Sequence, residues 1–110
     1  MKRTIQQIDY LVETEELSRF AKALGHPTRI KILNYLESQS CCFTGDLLEV
    51  IPLAQSTISQ HLKELKDSGL IKGEVNLPKI KYCIHQENWE KAKNLFHQFF
   101  SKEILNSSCK

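Results

Sequence analysis

Between Glu15 and Leu24 the apolar positions Leu17, Phe20, Ala21 and Leu24 recur at steps of three and four, which is one face of an amphipathic helix, and Gly25 stops the run. His26-Pro27-Thr28 opens a second helix, with Pro27 suited to a first helical turn and Ile30, Leu33, Tyr35 and Leu36 supplying the stripe up to about Glu37. Polar Ser38-Gln39-Ser40 breaks that pattern. Two adjacent cysteines follow, and Thr44 is placed to act as the N-cap of a short helix carrying Leu47, Leu48 and Ile51, which Pro52 ends.

After the turn Pro52-Leu53-Ala54-Gln55, the run STISQHLKELKDSGL sets Ile58, His61, Leu62 and Leu65 at helical spacing until Ser68-Gly69 terminates it. Two helices separated by about four residues make a helix-turn-helix candidate. Leu70 to Val75 and Ile80 to Ile84 then lean towards β structure, joined by the turn residues Asn76-Leu77-Pro78-Lys79 in the manner of a hairpin. From Gln86 to about Ile104 the positions Trp89, Ala92, Leu95, Phe96, Phe99, Phe100 and Ile104 form a broad apolar stripe on a last helix. The expected fold is therefore mostly α with a β-hairpin wing, a winged helix-turn-helix in the order α-α-α-α-β-β-α. Its terminal helices are expected at about residues 5–24 and 86–105.

Composition narrows this picture. The chain has 110 residues, 41% hydrophobic and 25% charged, the balance of one domain spanning 1–110 with a modest core. No segment has the uninterrupted apolar length that spans a bilayer, so a cytoplasmic protein without a membrane partner is expected. There is no glycine-rich phosphate loop and no cysteine placed with a general base, which argues against an enzyme. Four cysteines, Cys41, Cys42, Cys83 and Cys109, are too few and too unevenly spaced for a secreted disulfide framework, so reduced thiols are the starting point. The formal charge of +2 is too small to establish a nucleic-acid partner, and its distribution has to decide.

That distribution favours double-stranded DNA. Gln55, Ser56, Thr57, Ser59, Gln60 and His61 cluster at or near the start of the helix after the turn, where short polar side chains and backbone N–H groups meet phosphates and Gln60 can pair with adenine. Lys63, Lys66, Lys72, Lys79 and Lys81 add a basic fringe along this helix and the wing. Any one of these residues alone is equally an ordinary solvated side chain, and a winged scaffold serving only as a protein-interaction module is the rival from another class. Salt-dependent DNA binding separates the two.

Three stretches, ALGHPTRIKIL at 23–33, LAQSTISQHLKELKDSGLIKGE at 53–74 and KIKYCIHQENW at 79–89, resemble the ArsR/SmtB family of metal- and thiol-sensing bacterial repressors. The resemblance implies a homodimer built by the first and last helices, seated on an inverted-repeat operator and released by an inducer. The aromatic stripe agrees, and Phe20, Trp89, Phe96, Phe99 and Phe100 are the expected interface residues. The family's zinc-type site on the last helix is not matched here, where His97 stands without an Asp-x-His. Its arsenite-type site, a Cys-x-Cys ahead of the short helix, corresponds to CCFTGD. Cys42 fits the first position but Thr44 or Gly45 replaces the second, so Cys41 substitutes and Cys109 supplies a third thiolate for arsenite or antimonite. The persulfide-type positions fall near Tyr35 and Ser101 and hold no cysteine, although a redox bridge from Cys41 or Cys42 to Cys109 stays chemically open. Cys83, inside Tyr82-Cys83-Ile84, reads as a small buried hydrophobe.

Overall fold

The computed structural model describes residues 4–105, with only the backbone described for residues 5–10. Helix α1 (Ile5–Ala23) closes where the Leu24 and Gly25 N–H groups donate back to Phe20, Ala21 and Lys22 carbonyls. Helix α2 (Pro27–Gln39) begins as its sequence suggests: Pro27 sits in the first turn, and His26 Nδ1 accepts the Thr28 N–H at 3.1 Å. Ser40, at φ 70°, then turns the chain into β1 (Cys41–Phe43).

This strand is absent from the sequence-based expectation. Three residues carry too little pattern to be seen, and β1 exists because it pairs antiparallel with β3 (Lys79–Ile84), Cys41 opposite Cys83 and Phe43 opposite Lys81. The wing is thus two strands of a three-stranded sheet in the order β1-β3-β2, with β2 running from Ile71 to Asn76. Thr44 is likewise the first residue of α3 (Thr44–Val50) rather than its N-cap. The start of α3 is held instead by Asp46, whose carboxylate accepts the Phe43 N–H at 2.8 Å.

Helix α4 (Gln55–Ser68) follows four residues after α3 and packs across α1, α2 and α3. It buries Ile58, Leu62 and Leu65 against Phe20, Ile32, Leu36 and Leu47, the centre of the core. Gly69 ends it in the left-handed conformation at φ 92°, and a Cβ there would stand 2.8 Å from the Asn88 side-chain nitrogen. That close approach is used. The Asn88 amide donates to the Gly69 carbonyl at 2.9 Å, tying the end of α4 to the first turn of α5 (Gln86–Phe100), whose cap is His85.

Helices α1 and α5 lie together, linked by Lys91 and Glu16 at 3.6 Å. Ala92 is buried and Trp89, Leu95 and Phe96 pack on the core, but α5 then runs past it: Phe99 is 52% exposed and Phe100 74%. Phe20 departs from expectation. It is fully buried in the centre of the fold, so it builds the core and is closed to any partner surface.

Candidate nucleic-acid interface

No side chain caps α4. Ala54 stands at the cap position and its carbonyl receives the Thr57 and Ile58 N–H groups at 3.0 and 3.1 Å, which leaves those of Gln55 and Ser56 outside the helical ladder. An uncapped helix start with a positive dipole end is a seat for a phosphate oxygen. Around it the side chains of Gln55, Ser56, Thr57, Ser59 and Gln60 are all exposed, while Ile58, Leu62 and Leu65 turn inward. Gln60 donates from its amide to Glu64 at 3.1 Å, a solvent-exposed contact that a base edge can replace. Lys63 pairs with Asp67 at 2.8 Å one turn on, which raises the lysine's pKa through hydrogen bonding and charge. On the wing, Lys79 lies with its ammonium 5.6 Å from the centre of the Phe43 ring, and Lys81 and Lys72 both lie 3.5 Å from Glu74.

His61 is not part of this surface. It is buried, its ring lies 4.4 Å from that of His26, and its Nδ1 accepts the Arg29 Nε–H at 3.1 Å, so it joins α4 to the start of α2. The helical period that puts Ile58, Leu62 and Leu65 inside already carried His61 with them. An Nδ1 that accepts must be unprotonated, and burial, then the neighbouring His26 and Arg29, lower the His61 pKa from its usual value. Glu64 pulls weakly the other way. A lowered folded-state value means the unfolded chain binds the proton first, so stability present above about pH 6.5 falls as acid carries the solution towards the folded value. Thermal unfolding between pH 7.5 and 5 should show this loss in the parent and a smaller one in His61→Gln. Equal losses in both would place the acid sensitivity elsewhere.

The cysteines are arranged otherwise than the adjacent pair suggests. Successive strand residues point to opposite faces, so Cys41 and Cys42 cannot offer their sulfurs to one ion. Cys42 turns inward, and burial, with the Asp46 carboxylate nearby, pushes its thiol up to about 11. It stays protonated at neutral pH, so a soft metal would have to displace that proton to bind. Cys41 turns to the other face and is bonded to Cys83, its cross-strand partner, with the Cα atoms 4.1 Å apart. Cys109 lies outside the described residues, as does any bridge to it. Among the described residues no three His, Cys, Asp or Glu side chains form a group that could hold a metal ion. Of the expected Cys41–Cys42–Cys109 ligand set, the first two thiols therefore stand on opposite faces of β1, with Cys41 engaged by Cys83. Cys83 is buried as expected but is chemically engaged, and only the unseen strand β1 reveals its partner.

A short helix, a tight turn, a second helix with an open polar start and a lysine-edged hairpin together define a winged helix-turn-helix transcription regulator. Residues 26–72 match the family model described as bacterial regulatory protein, arsR family. The chain is 37% identical over 73 residues to the arsenical resistance operon repressor of Staphylococcus xylosus, covering 66% of this chain and 69% of that one. It is 34% identical over 73 residues to the HTH-type transcriptional regulator YgaV of Escherichia coli K12, covering 66% and 74%. A solved structure of a possible transcriptional regulator for arsenical resistance superposes with a TM-score of 0.67 at 25% identity, over 74% of this chain and 83% of the other. The protein belongs to the arsR family, a family of DNA-binding transcriptional regulators and not of enzymes. No helix among the described residues is long and apolar enough to cross a membrane.

Proposed function

We propose that this chain is a homodimeric repressor that lays α4 of each subunit in successive major grooves of an inverted-repeat operator, with the lysines of the wing on the flanking backbone. The observation that carries the reading is the uncapped start of α4 ringed by exposed Gln55, Ser56, Thr57, Ser59 and Gln60, with Lys79 and Lys81 on the wing that follows the helix. The exposed Phe99 and Phe100 on α5, with Phe96 part-covered beside them and Trp89 part-covered nearer the start of the helix, supply the dimer surface. Duplexes enriched by the chain from a random pool provide the operator for testing. Gln60→Ala should weaken binding to that operator by about 1–3 kcal/mol and leave random DNA almost unchanged, whereas Lys79→Ala should weaken both alike. Equal losses on the two DNAs for Gln60→Ala would remove its base-reading role.

The signal is read by Cys41 and Cys83 in this proposal. Their bridge joins β1, which leads directly into α3, to β3, the returning strand of the wing, and so fixes the wing against the helix pair. A wing held in place needs no ordering on binding, so the bridged form is the tighter binder. Closing the bridge takes two protons and two electrons from two thiols; a low-molecular-weight disulfide accepts them and leaves as two thiols through a mixed-disulfide intermediate. Access runs through Cys41, which is partly exposed, and both cysteines line a groove of about 620 Å³ with Lys72, His85 and Trp89. A second reading, arsenite or antimonite as inducer, is supported by the relatives named as arsenical resistance operon repressors and requires the reduced Cys41–Cys83 pair. Operator-binding anisotropy separates the readings. A dithiol reductant alone should weaken the parent about tenfold and leave Cys83→Ser, already weak, unmoved. Release only when arsenite is added to the reduced parent would select the second reading, and indifference to both reagents would remove the cysteines from sensing.

A further inference from the structure

The wing carries the apolar face of the sheet out beyond the core. On one face of the β2–β3 ribbon the opposed pairs are Ile71 with Ile84, Gly73 with Tyr82 and Val75 with Ile80. The other face holds Lys72 with Cys83, Glu74 with Lys81 and Asn76 with Lys79. At the root the apolar face is covered, Ile71 being buried and Tyr82 and Ile84 packed on the core. Towards the tip it is bare: Ile80 is 44% exposed, Val75 75%, and Leu77 85%. Leu77 and Pro78 are the two residues that join the strands, so the farthest point of the ribbon is hydrophobic. Of its cations, Lys79 stands next to that point, Lys81 lies further back and Lys72 is near the root. Lys79 is drawn over Phe43, and Lys72 and Lys81 share Glu74.

An apolar tip on a cationic ribbon fits a partner whose edge is polyanionic and whose interior is apolar, which describes a duplex whose stacked bases lie behind two phosphate rows. The ribbon also continues the surface of α4. It leaves that helix through Gly69 and Leu70, and a Cβ on Gly73 would stand 3.7 Å from the Lys66 side chain. A ribbon that prolongs the recognition helix reaches the minor groove next to the major groove that the helix fills. Leu and Pro are among the side chains that wedge between base steps there, unstacking them in return for a bend that brings more backbone to the protein.

We propose that Leu77, seated by Pro78, enters the minor groove beside each half-site, opens one base step and bends the operator. The proposal rests on the DNA-binding reading above and adds a specificity element to it: pyrimidine–purine steps open most easily, so the operator should carry TA or CA at the position under each wing although no hydrogen bond reads it. Leu77 touches none of the core, which makes substitutions there informative about DNA rather than folding.

The test is the end-to-end energy transfer of a doubly labelled duplex of about 40 base pairs enriched by the parent chain, long enough for two half-sites with flanks. The parent should raise the transfer on binding, and replacing the TA or CA step by GC should reduce both bend and affinity. Leu77→Ala should lose most of the bend and about tenfold in operator affinity, Leu77→Met should retain both, and Leu77→Lys should hold random DNA more tightly without restoring the bend. A parent complex as straight as free DNA, or a Leu77→Ala complex bent like the parent, overturns the wedge and leaves the repressor reading intact. Failure of the parent to enrich any duplex overturns both.

Discussion

Replacing Phe99 and Phe100 together by glutamate is expected to leave the subunit folded and to weaken operator binding by on the order of a hundredfold or more, because a dimer gains its second half-site as an intramolecular event. The two rings pack edge to face at 5.0 Å and Phe100 stacks on Phe96 at 6.4 Å, but both project beyond the core, so their loss opens no cavity. Two glutamates per subunit at a two-fold interface bring four carboxylates together, and like charges with no partner are strongly unfavourable there. The monomer still presents one α4 and should keep the weak, salt-sensitive binding of a single unit. Light scattering gives the mass and anisotropy the affinity. A double variant that remains dimeric with parental affinity would show that the dimer is built elsewhere.

The second large effect lies behind the recognition helix. Leu62 is fully buried on the inner face of α4, between Ile58 and Leu65, in a core shared with α2 and α3. Leu62→Ala removes contacts that the tight surroundings cannot refill and should cost about 2–5 kcal/mol. Small domains have about 5–15 kcal/mol in all, so this is a sizeable fraction of the total. Chemical denaturation should show the shift in midpoint with the slope unchanged. DNA affinity at low temperature, where the variant is still folded, should change little. A loss below 0.5 kcal/mol would mean that α4 is not anchored as described.

The helices were readable because α1, α2, α4 and α5 each run for three or more turns with recurring apolar residues, and Gly25, Pro27, Pro52 and Gly69 mark helix ends in one-residue signals. The winged arrangement followed from their order. Strand β1 was not readable, since three residues show no period and the strand is made by pairing with a segment some forty residues later. Everything the cysteines do turns on that strand: which face each sulfur takes, and that Cys41 meets Cys83 rather than Cys42 or Cys109. Phe20 and the pair Phe99 and Phe100 look alike in the sequence, as aromatic members of amphipathic stripes. Only packing decides that the first is enclosed in the core, where α1 lies against α4 and α5, while the others run past its end. His61 is the opposite case, because its spacing from Ile58 and Leu65 had already placed it inside while its polarity and position suggested DNA.

The account stands on a dimer that prefers one duplex over others, and anisotropy titration of the parent chain on the enriched duplex and on a scrambled duplex, repeated across a salt series, tests it most directly. The enriched duplex should bind at least about a thousandfold more tightly, and affinity for both should fall steeply with salt as lysines and helix starts displace counterions from phosphate. Equal affinity for the two duplexes, or binding to neither at low salt, would contradict it.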